Sequence, residues 1–205
     1  AESNLHGELR TGRKGIIAFI NDLDDEFKAT ATSKGYEKVE GYPEYRYESQ
    51  YSITDTIPEV VLPEGYRVKS LQEDNDLYKV NRVLWRGFDH TGEAPEEYVE
   101  SRKRMQAAPN YRKDLNIVVE APNGEFVAYC GMWYVPSNRV AYVEPVATDP
   151  QYRRMGLGKA AVLESIRRCA DLGATVAIVG SGLKFYEDIG FRRTFACYPW
   201  RKYLD

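Results

Sequence analysis

The sequence of 205 residues predicts an α/β sandwich with a mixed sheet. Three observations carry this. From Tyr66 to Tyr203 the apolar patterns follow the order β-α-α-β-β-β-α-β-α-β-β. Asn123-Gly124 lies between two apolar runs, a strong signal for a hairpin and hence for antiparallel pairing. The stretch Val140 to Ala170 (VAYVEPVATDPQYRRMGLGKAAVLESIRRCA) reads as an apolar strand, a turn with two arginines and two glycines, and a helix.

Composition bounds the class. A hydrophobic content of 43% supports a real core, in one domain or one domain with a substantial extra piece. No apolar run approaches the roughly 18 residues of a membrane span, and Ile16 to Ile20 is too short for a secretory leader. The three cysteines, Cys130, Cys169 and Cys197, are far apart and lack metal-ligand spacing, so no metal site is expected. They read as buried thiols in a reducing compartment, which makes a cytoplasmic enzyme the simplest expectation. A net charge of −3 argues against a general nucleic-acid binder.

The elements follow in order. Ile16, Ile17, Ile20, Leu23 and Phe27 recur at helical spacing, predicting a helix over 15–34 that Gly35 ends. Tyr45 to Tyr51 alternates and predicts a strand with an aromatic face. Thr54 to Pro63, with two prolines, reads as a linker. Residues 1–64 are therefore an N-terminal extension of helix plus strand, and 65–205 the main domain. The latter opens with a strand at Tyr66 to Leu71, and Glu73 to Asp76 supply caps for a helix burying Leu77, Val80, Val83 and Leu84. A polar loop with His90 leads to a helix from about Pro95 to Ala107. Asp89, Glu93, Glu96, Glu97 and Glu100 there suit a helix dipole and solvated face better than an amine-attracting patch. Strands are expected at Leu115 to Glu120, Glu125 to Trp133, Val140 to Ala147, Ala174 to Val179, Phe191 to Cys197 and Pro199 to Tyr203. A helix is expected to reach Leu172 before Gly173, and another to span Ser181 to Ile189 before Gly190.

The turn is suited to an anion. Gly156 and Gly158 have no Cβ, so backbone amides can approach a ligand closely, and the helix that follows presents its positive end. Arg153, Arg154, Lys159, Arg167 and Arg168 face only Glu164 between 151 and 170, against the acidic balance of the whole chain. A P-loop is excluded because Lys159 is followed by Ala160. Gly156 to Ala161 fits a dinucleotide-binding pattern, but Ala177 to Gly180 offers no carboxylate for a ribose.

Arg153-Arg154-Met155-Gly156-Leu157-Gly158, preceded by an apolar strand and Pro150-Gln151-Tyr152-Arg153, resembles the R/Q-x-x-G-x-G/A signature of the GNAT superfamily of acyl-CoA-dependent N-acetyltransferases. Phe185 to Phe191 (FYEDIGF) resembles that family's second block, in the right order and at the right distance. The resemblance covers about 65–204 and implies the GNAT fold, a mixed, mostly antiparallel sheet flanked by helices. It also suggests that residues 1–64 are either the tail of a preceding GNAT-like domain or an extension packed on the enzyme.

The resemblance implies acetyl-CoA as cosubstrate and a primary amine of a small molecule or peptide as acceptor, with direct attack in a ternary complex. Backbone groups at Val146, Ala147 and Thr148 would pair with pantetheine. Amides of Arg153, Arg154, Met155, Gly156, Leu157, Gly158 and Lys159 would hold the pyrophosphate, and the basic side chains among them would add charge. Tyr186 matches the family's general acid. Glu144 is the candidate base, because alternation along the strand is expected to place it on one face with Val146 and Thr148. Glu120 and His90 are fallbacks. Where many members have an asparagine this chain has Val179, which leaves Ser181 as the nearby polar group. Acyl-CoA sensing without turnover and nucleotide binding are the competing classes.

Overall fold

In the computed structural model, residues 6–9, 11–41, 47–54 and 56–204 are described. In chain order they form β1 (Gly7–Glu8), β2 (Lys14–Asn21), α1 (Asp25–Ser33), β3 (Glu37–Lys38), β4 (Tyr47–Ser52), β5 (Arg67–Ser70), α2 (Leu77–Gly87) and α3 (Glu97–Gln106). There follow β6 (Ile117–Glu120), β7 (Phe126–Val135), β8 (Val140–Thr148), a 3-10 turn (Pro150–Tyr152), α4 (Leu157–Asp171), β9 (Val176–Val179), α5 (Lys184–Ile189) and β10 (Arg192–Tyr203). The chain divides into two compact units, Ala1–Ser49 with Gly180–Asp205, and Gln50–Val179. The start and the end of the chain share the first unit because β10 takes β2 as a ladder partner from Cys197↔Asn21 to Tyr203↔Gly15.

In the first unit, the helix expected over 15–34 is instead a strand followed by a helix. Isoleucines at 16, 17 and 20 satisfy either period; the distant β10 partner decides, and β-branched side chains suit it. The Asp24 carboxylate accepts from the Phe27 N–H at 2.8 Å and starts α1. Gly35, at φ +80°, ends it as expected. The strand expected from Tyr45 is described from Tyr47; Tyr45 and Arg46 lie outside the described residues. The two final strands are one. Pro199 sits opposite Phe19, and its carbonyl accepts from the Val39 N–H, so the proline removes one donor without breaking the strand.

In the second unit, β5, β6, β7 and β8 pair antiparallel in that order and β8 pairs parallel with β9. The Asp76 carboxylate caps α2 through the amides of Tyr78 and Lys79. Val80, Val83 and Leu84 of α2 pack on one sheet face with Leu71, Val118, Phe126, Tyr129 and Ala147. Leu77 is only half-buried. Helix α4 packs on β6, β7 and β8 and buries Leu163 and Ile166. Each such side chain contributes roughly 1.5–3 kcal/mol, so these two layers hold the unit. The β6–β7 connection is a three-residue loop, not the expected two-residue Asn-Gly turn. Gly124 alone is left-handed (φ +83°), its N–H donates to the Ala121 carbonyl, and Ala121 pairs with Glu125. Pro122 sets the first loop residue and leaves the left-handed step to glycine. Among the described residues no helix is long and apolar enough to cross a membrane.

Candidate active site

The site is built on β8. Its parallel ladder with β9 holds only Val140↔Val176, Ala141↔Ala177 and Tyr142↔Ile178. Beyond Tyr142, β8 continues to Thr148 along β7, and β9 ends at Val179. The edge of β8 from Val143 to Thr148 that faces away from β7 therefore has no ladder to β9.

At this fork β8 carries a bulge. Cys130 of β7 opposes Val146 while Met132 opposes Val143, so Gly131 alone spans Glu144 and Pro145. The bulge changes the parity of the strand. Ala141, Val143, Val146 and Thr148 share the face of Cys130, where Ser165 of α4 meets that thiol. Glu144 lies instead on the face of Tyr142 and Trp133. The expected alternation that joined Glu144 to Val146 and Thr148 does not hold, because one inserted residue moves every later side chain to the opposite face. Pro145 has no N–H to lose in a ladder, which suits a bulge.

Gly131 makes this geometry possible. A Cβ there would collide with the Glu144 carbonyl and lie 2.8 Å from Pro145 Cδ. Gly131→Ala is expected to cost about 1–3 kcal/mol in thermal or denaturant unfolding, since the obstacle is backbone and cannot rotate away. The Glu144 carbonyl is also held by the Trp133 indole N–H at 3.2 Å, and Tyr111 meets Trp133 edge-on at 5.5 Å. Glu144 is exposed by area, yet protein crowds its carboxyl enough that desolvation raises its pKa above the ordinary glutamate value.

The turn after β8 is anchored from below by Asp149, which is fully buried. Its carboxylate accepts from Arg86 Nε at 2.6 Å, Arg86 Nη2 at 3.2 Å and the Gln151 N–H at 3.1 Å. Burial opposes the charge, but the Arg86 and Gln151 hydrogen bonds outweigh it and hold the pKa below the ordinary aspartate value. Gly87 at the end of α2 lies against β8 so closely that a Cβ would sit 2.6 Å from Ala147 Cβ.

Beyond this anchor the backbone turns through Arg154 (φ +67°) and Gly156 (φ +78°) into α4. A left-handed non-glycine residue is uncommon, and here the strain falls at the candidate anion site. Helix α4 starts at Leu157, with Gly156 as a cap residue that offers no side-chain hydrogen bond. Its first intrahelical bond runs from Ala160 N–H to the Gly156 carbonyl, so the amides of Leu157 and Gly158 precede the ladder.

One of the basic side chains of the turn is engaged within the protein. The Arg153 guanidinium folds back onto the Thr148 carbonyl (3.2 Å), the Gly87 carbonyl (3.0 Å) and the Asp89 carboxylate (2.8 Å), tying the end of α2 to the turn. Arg154 is exposed and Lys159 half-buried. The fallback bases are otherwise engaged: Glu120 pairs with Lys69 at 2.5 Å, and His90 stacks on Trp85 at 4.2 Å. Among the acidic residues of the loop and α3, Asp89 pairs with Arg153 and Glu100 with Lys103, while Glu97 and Glu100 sit in the first turn of α3.

Glu144, Val146, Ala147, Thr148 and the turn from Arg153 to Lys159 all belong to the second unit; Ser181 and Tyr186 belong to the first. There the Ser181 hydroxyl accepts from the Leu183 N–H, and buried Tyr186 meets Phe185 and Phe191 edge-on at 5.0 and 5.6 Å. Sequence reasoning missed Asp149, Arg86, Gly131 and the bulge. Pro145 in mid-strand was the available signal for the bulge.

The profile of the acetyltransferase (GNAT) family matches residues 77–191, more than half of the chain. The chain belongs to the GNAT acetyltransferase family. It is 33% identical over 79 residues to a glucosamine 6-phosphate N-acetyltransferase of Trypanosoma brucei brucei, covering 35% of this chain and 54% of that protein. It thus spans about half the length of that curated relative. A tandem GNAT protein from the clavulanic acid biosynthesis pathway superposes with a TM-score of 0.70 at 11% identity, over 95% of this chain and 65% of that one. A GNAT family acetyltransferase of Brucella melitensis, solved in complex with acetyl-CoA, superposes with a TM-score of 0.51 at 17% identity, over 64% and 86%. These two similarities establish the shared fold.

Proposed function

We propose that this GNAT chain transfers an acetyl group from acetyl-CoA to a primary amine of a small molecule or peptide, by direct attack in a ternary complex. The observation that carries the reading is the fork between β8 and β9 beside a turn whose helix opens without a side-chain cap. An extended pantetheine fits the open edge at Val146, Ala147 and Thr148 as an added strand. Its pyrophosphate fits the amides from Arg153 to Lys159, with Arg154 and Lys159 supplying charge. Ser181 takes the polar role left by Val179.

In the reaction, the amine nitrogen attacks the thioester carbonyl, an N–C bond replaces the C–S bond, and the amine proton must leave while the thiolate of CoA gains one. Glu144 is the base, its raised pKa moving it toward the working range of an amine acceptor. Tyr186, carried over from the family motif, is the acid. An acyl-enzyme through Cys130 or Cys169 is disfavoured, since burial pushes both thiols up to about 12. Cys197 is half-buried rather than buried as expected, and three free thiols suit the cytoplasm.

The test is thermal shift with acetyl-CoA and with NAD, followed by CoA release across an amine panel that includes glucosamine 6-phosphate. Acetyl-CoA at about a hundred times its Kd should stabilise by about 2.7 kcal/mol, while NAD has no effect. Gly156→Val should abolish that shift, because φ +78° is strained for a β-branched residue; the space itself is ordinary, since a Cβ at Gly156 would lie 3.7 Å from Val60 Cγ1. Binding without turnover would make the chain an acyl-CoA sensor, and stabilisation by NAD alone would overturn the reading.

A further inference from the structure

One of the half-buried arginines of the second unit lacks a carboxylate partner. Arg86, Arg112, Arg153, Arg167 and Arg168 each reach a carboxylate. Arg102 of α3 makes no ion pair among the described residues, and its Nε is buried without a hydrogen-bond partner. Burial depresses its pKa, and the groups that favour its charge are the hydroxyl-bearing rings of Tyr129, Tyr111 and Tyr98, with no carboxylate among them. Arg102 is half-buried, and a partly desolvated guanidinium with no carboxylate beside it leaves room for an anion from outside the chain.

Beside it lies a second unmet group. The Tyr111 hydroxyl is buried and has no hydrogen-bond partner, with Tyr129 and Gln106 nearby. The Tyr129 hydroxyl donates its proton to Asn116 at 2.7 Å, and the Gln106 amide forms a reciprocal pair with Asn75 at 2.9 Å. Tyr111 also connects the pair to the candidate active site, since its ring meets Trp133, whose indole holds the Glu144 carbonyl. Arg102, Tyr111, Trp133 and Glu144 therefore form a continuous path on the α2 side of the sheet.

We propose that the acceptor amine carries an anionic group, carboxylate or phosphate, which Arg102 pairs with and to which the Tyr111 hydroxyl donates. This rests on the acetyl-transfer reading and narrows its acceptor class: the amine is delivered to Glu144 while its anionic end is held under α3. A site that leaves buried polar groups unpaired when a substrate lacks their partner discriminates strongly against that substrate.

The experiment compares a homologous series of ω-amino carboxylates with the matching alkylamines, and aminoalkyl phosphates with the matching amino alcohols. The wild-type chain should prefer the anionic member of a pair in kcat/KM, and the better of the two series identifies the anion. In Arg102→Gln the anionic-to-neutral ratio should fall about 10- to 100-fold, mainly through KM. Arg102→Lys should recover part of it, and the KM for acetyl-CoA should not move. Tyr111→Phe should lower the ratio by a smaller factor. Equal loss on both members, or a wild-type chain indifferent to the anion, overturns the proposal and makes Arg102 a packing residue of α3. Calorimetric titration of the same amines in the presence of CoA separates this from the transferase reading. Arg102-dependent binding of the anionic member without turnover supports the subsite while removing the activity; binding that ignores Arg102 removes the subsite. Should Arg102→Gln fail to fold, Arg102→Lys and Tyr111→Phe carry the same comparison.

Discussion

Replacing Glu144 with glutamine is expected to slow acetyl transfer by about 10²- to 10⁴-fold, the usual contribution of a positioned base, in a protein that melts no earlier than the parent. The two halves of this expectation have one cause. The carboxyl is partly desolvated, so its folded pKa lies above the unfolded value. The folded state therefore binds this proton more tightly than the unfolded state, and ionisation costs stability as pH rises from the unfolded value of about 4.3 through the folded one. Above that point the cost is constant, and glutamine removes it. Catalysis has the opposite requirement: the base must be ionised, so kcat/KM rises with pH through the same folded pKa. In Glu144→Gln that limb should disappear, leaving a slow rate that climbs toward the amine's own pKa. Stopped-assay pH profiles and melting curves on both proteins check this. An unchanged acid limb in the variant would assign the base elsewhere.

Replacing Asp149 with alanine should lower stability by about 3 kcal/mol, the low end for breaking a buried ion pair, because Arg86 keeps 31% of its side chain exposed. For a chain of this size that is a fall in Tm of about 6–12 °C. The same change should weaken acetyl-CoA binding, since Asp149 receives the Gln151 N–H and holds the first residues of the turn. Its folded pKa is depressed, so its stabilisation is complete above the unfolded value of about 3.9 and is lost as pH falls through the lower folded value. Asp149→Asn should flatten that acid limb of stability while leaving the neutral-pH turn nearer its native shape. Melting curves from pH 2 to 7 and acetyl-CoA titrations measure both effects.

The turn was legible in the sequence because local chemistry dictates it. Gly156 adopts a φ that other residues resist, Gly190 and Gly173 do the same after helices, and Asp76 caps α2 through its own neighbours. The order of elements from Tyr66 onward was legible for a similar reason, since each apolar period is set over a few residues. The helix expected over 15–34 was not recoverable this way: Ile16, Ile17 and Ile20 fit both periods, and the strand partner lies some 180 residues further along the chain. The joining of the two final strands through Pro199 depended on the same partner.

Within the candidate site the division is similar. The amino-acid sequence by itself determined the glycine turn before α4 and the family, because short motifs carry backbone conformation and side-chain chemistry together. Tertiary structure alone decided which face Glu144 occupies, that Arg153 is tied to Gly87 and Asp89, and that Asp149 lies buried beneath the turn. Those outcomes depend on the bulge opposite Gly131, at which Pro145 alone hinted, and on α2 closing against β8, a contact between segments far apart in the chain that no local period encodes.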